Sequence, residues 1–287
     1  MGERTNLTRR LRGWSALLPL APAGLIFFGL LVVPLIYFFA VSFWSVRARI
    51  MRPDFTLENY AEAVLDYGDT LFGTLRIALA ISIATVVVAF AFAYFIRFRA
   101  GRWGNVLLFL TLITLFGGYL VKIYAWKSIL GREGILNQAL IGLGLIDEPL
   151  NAFIYNANGI VITLTYFLLP FAVLPIYGAM RAISDVTLEA SRDLGAGPWT
   201  TMVKVVLPQC ERGILVAFMF TFLISAGDYV TPRFVGGGAA MMGHFIETQF
   251  SVGFNWPLGS AMSFTVMAAS LATVLVFRGL LRAWLKP

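Results

Sequence analysis

The chain has little of what most soluble enzymes use. Only 13% of its 287 residues are charged, 59% are hydrophobic, and the mean hydropathy is +0.81. Cysteine and histidine each occur once, as Cys210 and His244, so no internal disulfide and no Cys/His metal cluster can form. No Gly-Lys pair and no Gly-x-Ser-x-Gly elbow is present. We therefore expect no cofactor, metal or catalytic site in this chain; an enzyme that uses intramembrane carboxylates is the alternative.

Long apolar runs separated by polar segments are typical of a polytopic membrane protein. A bilayer core about 30 Å thick requires about 20 mostly apolar residues per helix, and a helix pairs its own backbone polar groups. Six runs have this length: 16–43, 71–96, 105–130, 159–179, 213–230 and 258–281. The sequence therefore predicts an all-α fold with six transmembrane helices.

Basic residues predict the orientation of these helices. Arg4, Arg9, Arg10 and Arg12 precede the first run, whose apolar part is too long for a cleaved signal peptide, although a removable signal peptide is the alternative. With the N-terminus inside, 14 of the 22 Lys and Arg residues fall in inner segments, as the positive-inside rule requires. The net charge of +7 is then explained by this bias and by anionic lipid, and no nucleic-acid partner is expected.

This orientation divides the chain into predicted segments. Residues 1–15 form a cytoplasmic N-terminal segment, 16–43 the first transmembrane helix and 44–70 a periplasmic segment. Residues 71–281 form a core of five transmembrane helices, and 282–287 a cytoplasmic tail. Within the outer segments, the pattern around 55–70 predicts an amphipathic helix at the membrane surface. The apolar part of 131–156 is too short to span and predicts an interfacial or re-entrant helix.

Acidic residues show the opposite bias from basic ones. Nine of the fifteen fall in the predicted outer segments: Asp54, Glu58, Glu62, Asp66, Asp69, Glu133, Asp147, Glu148 and Glu247. Such a face attracts a cationic solute or a basic docking surface. Ordinary solvated loops, from which the topology excludes Lys and Arg, are the alternative.

Residues 181–208, RAISDVTLEASRDLGAGPWTTMVKVVLP, form a polar island between two apolar runs. Asp185 is predicted to cap a first short helix, and Gly195 and Gly197 to end it in a sharp turn. Pro198 suits the first position of a second helix, which Pro208 is predicted to close. Two short helices with a compact bend can insert into a groove on a partner protein. We call residues 181–208 the coupling segment.

The coupling segment resembles the EAA motif of ABC-importer permeases, EAA-x3-G-x9-I-x-LP. Glu189-Ala190-Ser191 is followed after three residues by Gly195 and after nine more by Val205-x-Leu207-Pro208, with Ser for the third Ala and Val for Ile. The resemblance implies a coupling helix that docks on a cytoplasmic ATPase. The residues that it assigns to this contact are Glu189, Ala190, Ser191, Leu194, Gly195, Ala196, Leu207 and Pro208.

Other segments resemble the spermidine/putrescine importer permeases. Residues 120–147 and 227–261, together with LENY at 57–60, extend this resemblance over most of the chain from residue 55 onward. It implies the type I ABC importer permease (MetI-like) fold, alternating access, and a location in the bacterial inner membrane. It also implies a second permease subunit, an ABC ATPase dimer that binds ATP and Mg, and a periplasmic solute-binding protein. The predicted function is uptake of a small solute, a polyamine such as spermidine or putrescine.

The sequence leaves two alternatives open, one for the transported solute and one for the energy source of transport. Some polyamine permeases have an acidic residue where this chain has Arg233, and a fixed cation near the outer mouth favours a different solute, such as an amino-acid derivative or an organic anion. An ion-gradient secondary transporter would need its coupling carboxylates within its own spans, and this sequence has almost none.

The candidate solute pathway centres on Asp228, the one carboxylate within a predicted span. At the centre of a helix it would cost about 2.5 to 3.5 kcal/mol, so we expect it to face a cavity or a partner. It either has a functional or gating role, or pairs with Arg233 or with a Lys of the partner permease. Tyr229, Tyr124 and Trp126 are candidate lining residues that could hold a cation against a ring face, or else interfacial anchors.

Overall fold

The structure is a computed structural model that describes residues 19, 21–48 and 50–285. The predictions made for Arg4, Arg9, Arg10 and Arg12, and for the start of the first helix at residue 16, lie outside the described residues. So do the last two residues of the predicted tail.

The described residues form a predominantly helical protein with up to six spans. Four helices are long and apolar enough to cross a membrane by themselves: Ala21–Val41, Gly68–Phe98, Ala157–Arg181 and Trp256–Leu285, here the first, second, fourth and sixth spans. Two bent helix pairs pass the same test: Gly101–Phe116 with Tyr119–Gly142, and Pro198–Gln209 with Glu211–Ala226. We call residues 101–130 of the former pair the third span and Glu211–Ala226 the fifth. The predicted polytopic helical fold is confirmed.

Shorter elements connect the spans. They are the strands Ser45–Arg47 and Ile50–Arg52, the helices Glu58–Leu65, Ile135–Gly142, Val230–Val235 and Met242–Ser251, and, in the coupling segment, Asp185–Asp193 and Pro198–Gln209. The two strands pair antiparallel, with Val46 opposite Met51. Strands of three residues are too short to produce a recognisable alternation in sequence, which is why the prediction of an all-α chain omitted this hairpin. The predicted helices near 58–65 and 135–142 are both present.

The second, fourth and fifth spans form the packed core. Ala89 and Ala93 of the second span are fully buried, as expected of small side chains that allow close helix approach. Gly213 brings the fifth span against the fourth, because a Cβ at this position would lie 2.6 Å from the Pro175 carbonyl oxygen. The Phe218 ring of the fifth span stacks on Phe277 of the sixth, with ring centroids 3.6 Å apart.

The first span is attached to this core mainly at its C-terminal end. Only 6% of its apolar window is buried, and a π-helical turn interrupts it at Phe28–Val32. Its contacts with the sixth span are aromatic: Phe38 stacks against Trp256, and Phe39 meets Phe264 edge-on at 5.0 Å. Most other side chains of this helix are exposed and can contact lipid or another protein.

The third span is broken, which corrects the prediction of one continuous helix over 105–130. Its two parts meet at 104° at Gly117-Gly118, where both glycines have extended ψ angles. Two successive residues with extended ψ angles end a helix. The Lys122 Nζ donates a hydrogen bond to the Thr114 carbonyl oxygen at 2.5 Å and lies 5.0 Å from the centre of the Phe167 ring. The lysine thus adds a second donor to a carbonyl whose backbone bond, from the Gly117 amide, is long at 3.3 Å.

Candidate functional site

The coupling segment begins its first helix one residue earlier than predicted. The Ser184 Oγ accepts a hydrogen bond from the Thr187 amide at 3.3 Å, so Ser184 is the N-cap and the predicted cap at Asp185 is wrong. Asp185 instead occupies the first helical position, where a negative charge is favourable near the helix N-terminus.

The predicted turn between the two helices is present and has a defined geometry. Gly195 has a φ of +79°. Its amide donates to the Arg192 carbonyl at 2.8 Å, and the Ala196 amide donates to the Ser191 carbonyl at 3.1 Å. These two bonds form a Schellman motif, which ends the first helix and sharply reverses the chain. Gly197 then serves as the N-cap of the second helix, with Pro198 at its first turn as predicted.

The second helix of the coupling segment does not end at Pro208. It continues to Gln209 through a π-helical stretch, Met202–Val206, in which the Leu207 amide donates to the Met202 carbonyl five residues back. Proline has no N–H for the next α-helical bond, and the wider π turn accommodates that loss. Cys210, which is fully buried, follows at the bend of 69° before the fifth span.

One side of the coupling segment is fixed to the membrane helices. Leu188 and Val206 are buried in the same hydrophobic cluster as the second, fourth and fifth spans. The Ser191 Oγ lies 3.0 Å from the Thr201 Oγ1 and links the two short helices through a buried hydrogen bond. The Arg97 guanidinium at the end of the second span donates to the Asp185 carboxylate at 2.8 Å.

The other side of the coupling segment is exposed and partly apolar. Leu194 and Trp199 are 89% and 73% exposed, and Val186 in the first helix is exposed as well. Large apolar side chains that project from a polar segment indicate a surface for a protein partner. Of the residues predicted for the ATPase contact, Glu189, Ala190, Leu194 and Gly195 are exposed, Ala196, Leu207 and Pro208 are half-buried, and Ser191 is buried.

Asp228 does not lie inside a span. The fifth span ends at Ala226, shorter than the predicted 213–230, because Gly227 ends the helix and the chain turns into Val230–Val235. The Asp228 Oδ1 accepts hydrogen bonds from the Tyr119 hydroxyl at 2.8 Å and the Val230 amide at 3.1 Å, and its Oδ2 accepts one from the Thr231 amide at 3.2 Å. The carboxylate therefore caps a short helix and ties it to the third span.

Tyr119 is a partner of Asp228 that the sequence pattern did not indicate. Its hydroxyl also lies 2.6 Å from the Thr231 Oγ1, so one phenol contacts two residues of the turn after the fifth span. The one local signal is its position, directly after the Gly117-Gly118 break. Among the described residues Asp228 makes no ion pair with Arg233.

The structure does not bring the four predicted pathway residues together. The Tyr229 ring is 42% exposed and lines a cleft next to Asp228. Tyr124 instead packs edge-on against Phe234 at 5.3 Å, and Trp126 packs against Tyr166 at 5.4 Å. Neither of these two aromatic side chains lines the cleft.

The cleft has a volume of about 760 Å³ and lies between the end of the fifth span, the helix Met242–Ser251 and the sixth span. Its lining residues are Leu223, Ala226, Gly227, Tyr229, Gly243, Ile246, Glu247, Phe250, Ser251, Ser263, Val266, Met267 and Ser270. Glu247 is the one carboxylate among them, and no Lys or Arg is present in this lining. The sequence pattern grouped Glu247 with the acidic outer segments but did not place it in a pathway.

Within residues 21–48 and 50–285, no group of three or more His, Cys, Asp or Glu side chains is arranged to hold a metal ion.

Comparison with known proteins places this architecture among ABC-importer permeases. The spermidine/putrescine transport system permease protein PotB of Escherichia coli K12 is 32% identical over 233 residues, which cover 80% of this chain and 84% of PotB. The inner membrane ABC transporter permease protein YdcU of the same organism is 29% identical, with 84% and 85% of the two chains covered. No protein-family model matches the chain.

A solved structure has the same fold. It is a bacterial alginate ABC transporter in complex with its alginate pentasaccharide-bound periplasmic protein. The matched chain has a TM-score of 0.68 at 15% identity, with 100% of this chain and 99% of that chain covered. At this identity the similarity establishes the fold and not the solute.

Proposed function

This chain belongs to the family of ABC-importer permease subunits that includes PotB, and on that premise we propose that it takes up a polyamine such as spermidine or putrescine. Like its relatives it is a permease subunit and not an enzyme. In the proposed assembly it pairs with a second permease subunit and with an ABC ATPase dimer that holds ATP and Mg. A periplasmic binding protein delivers the solute. Both termini and the coupling segment lie on the cytoplasmic side.

The observation that carries the proposed mechanism is the two-sided character of the coupling segment. Its apolar tip, Leu194 and Trp199, is exposed, while Leu188 and Asp185 on its other side contact the body of the protein. We propose that Glu189, Ala190, Leu194 and Gly195 contact the ATPase directly. Ser191, Ala196, Leu207 and Pro208 then shape the segment. Closure of the ATPase dimer would move this segment and, through its buried contacts, the spans to which it is joined.

The four candidate pathway residues have different proposed roles. Tyr229 lines the cleft and is the residue that we place in contact with solute. Asp228 is a positioning residue, because its carboxylate oxygens are engaged by Tyr119 and by two amides of the following helix. Tyr124 and Trp126 are assigned to interfacial anchoring, which suits exposed or half-buried aromatic rings outside the cleft.

Polyamine as the solute is supported by two observations. PotB, whose name states spermidine and putrescine, shares 32% identity over 84% of its length with this chain. The cleft also has one carboxylate and no Lys or Arg in its lining, while Arg233 is exposed and lies outside it. Arg233 therefore does not place a positive charge in the cleft, which removes the main argument for an anionic solute.

The test is uptake by the reconstituted transporter. The chain is co-expressed with a second permease subunit and an ABC ATPase of the same transporter, and the complex is placed in proteoliposomes with ATP inside and the loaded binding protein outside. ATP-dependent accumulation of labelled spermidine or putrescine, saturable and dependent on the binding protein, is the expected result. Accumulation of an amino-acid derivative or organic anion in place of a polyamine would contradict the proposed solute but not the transporter class.

A further inference from the structure

The cleft beside Tyr229 runs along the middle of the sixth span. Ser263, Met267 and Ser270 line it at intervals of four and three residues, so they lie on one face of that helix. At 1.5 Å per residue, Ser270 lies about 21 Å along the helix axis from Trp256, the first residue of the 30-residue span. The cleft therefore reaches the depth of the membrane interior and carries polar side chains there.

Glu247 lines this cleft without a hydrogen-bond or ion-pair partner among the described residues. It is half-buried on the helix Met242–Ser251. Partial burial of an ionised carboxylate is unfavourable unless a cation or a donor accompanies it. Ser270, 2% exposed and further along the same cleft, has a hydroxyl without a hydrogen-bond partner among the described residues.

Asp228 is not available to bind a cationic solute. Three donors already occupy its carboxylate oxygens, and the residue is 9% exposed. Tyr229, its neighbour in sequence, instead presents an exposed ring to the cleft, and an aromatic face attracts an organic cation.

We propose that Glu247 is the carboxylate that binds an ammonium group of the solute in the membrane pathway, and that the Tyr229 ring in the same cleft contributes to the site. This inference rests on the proposed function, because it deepens the assignment of a cationic solute. Leu223, Ile246, Val266 and Met267 provide apolar walls that suit the methylene chain of an alkylammonium ion. A divalent metal ion is a poor fit, because it requires several oxygen ligands and the cleft has one carboxylate.

A single carboxylate per cleft implies one ammonium group bound by this subunit. The remaining ammonium groups of a polyamine must then be held elsewhere along the pathway. Uptake should accordingly depend on Glu247 for a solute with one ammonium group as well as for a polyamine.

The experiment compares Glu247→Gln with Glu133→Gln in the complete transporter. Glu133 is an exposed carboxylate outside the cleft and serves as the matched control. Removal of a charge-assisted hydrogen bond to a buried ligand costs about 1.5 to 3 kcal/mol, so spermidine uptake at saturating loaded binding protein should fall by about tenfold or more in Glu247→Gln. The ratio of spermidine imported to ATP hydrolysed should fall with it, Glu247→Asp should recover part of the uptake, and Glu133→Gln should match the wild type.

Two outcomes would overturn the inference. Equal uptake by Glu247→Gln and the wild type would remove Glu247 from the pathway, and an equal decrease in Glu133→Gln would show that only the general negative charge of this face matters. If Glu247→Gln does not assemble with the ATPase, the same comparison is made with Tyr229→Leu and Tyr229→Phe, of which only the first removes the ring. Failure of the wild-type complex to import spermidine at all would instead count against the proposed solute, so the two failures are distinguishable.

Discussion

Gly195 provides the sharpest test of the coupling segment, because Gly197 two residues later is a matched control. A Cβ at either position meets no atom within 4 Å, so alanine causes no steric clash at either one. The two glycines differ in backbone conformation: φ is +79° at Gly195 and −69° at Gly197. Any difference between Gly195→Ala and Gly197→Ala therefore reports the left-handed turn itself.

The expected magnitude follows from that φ angle. An L-residue with a side chain in the left-handed region costs about 1 to 2 kcal/mol relative to its preferred conformations. The Schellman turn, with hydrogen bonds of 2.8 and 3.1 Å, would then be populated about 5 to 30 times less relative to its alternatives. Asparagine tolerates this conformation better than alanine, so Gly195→Asn should be intermediate.

The assay is ATP-driven uptake in proteoliposomes, together with the amount of ATPase that co-purifies with the permease. We expect both to decrease in the order wild type, Gly195→Asn, Gly195→Ala, with Gly197→Ala close to the wild type. If Gly195→Ala and Gly197→Ala behave alike, the left-handed turn is not needed for coupling. If Gly195→Ala keeps full uptake and full ATPase binding, the coupling segment does not act as proposed.

Two further predictions concern packing. Gly213→Ala places a methyl group 2.6 Å from the Pro175 carbonyl oxygen, so the thermal unfolding midpoint in detergent should fall by several degrees. The control is Gly178→Ala in the fourth span, where a methyl group meets no atom within 4 Å and should leave the midpoint unchanged. Equal midpoints for the two variants would refute the close approach of the fourth and fifth spans. Asp228→Asn and Tyr119→Phe weaken the same 2.8 Å contact, so a double-mutant cycle on unfolding should show an interaction energy of about 0.5 to 3 kcal/mol, and strictly additive effects would show that the contact contributes nothing.

The sequence was sufficient where the structure depends on local signals. Apolar runs of about 20 residues correctly predicted the polytopic helical fold, because each span satisfies its own backbone. The coupling segment was also predicted well, since Gly195 and Pro198 act on the chain within a few residues of their own positions. The cap was assigned to Asp185 in place of Ser184 because both residue types can cap a helix, and the sequence alone does not decide between neighbours.

The features that were missed depend on contacts between distant segments or on breaks shorter than a hydropathy window. Gly117-Gly118 interrupts the third span over two residues, which the apolar residues on either side conceal. Asp228 meets Tyr119 across 109 positions of sequence, so no local pattern indicates the pair. Glu247 was recognised as acidic, but its position in a cleft depends on how Met242–Ser251 lies against the sixth span.

The burial of Cys210 has a practical consequence for following this protein in motion. A thiol probe needs an accessible thiolate, and the chain's single cysteine is fully enclosed. Cysteines introduced at the exposed positions Thr200 and Val252 should therefore accept fluorescent or spin labels while the native cysteine stays in place. The distance between the two labels could then be followed through the ATP cycle in an otherwise unaltered background.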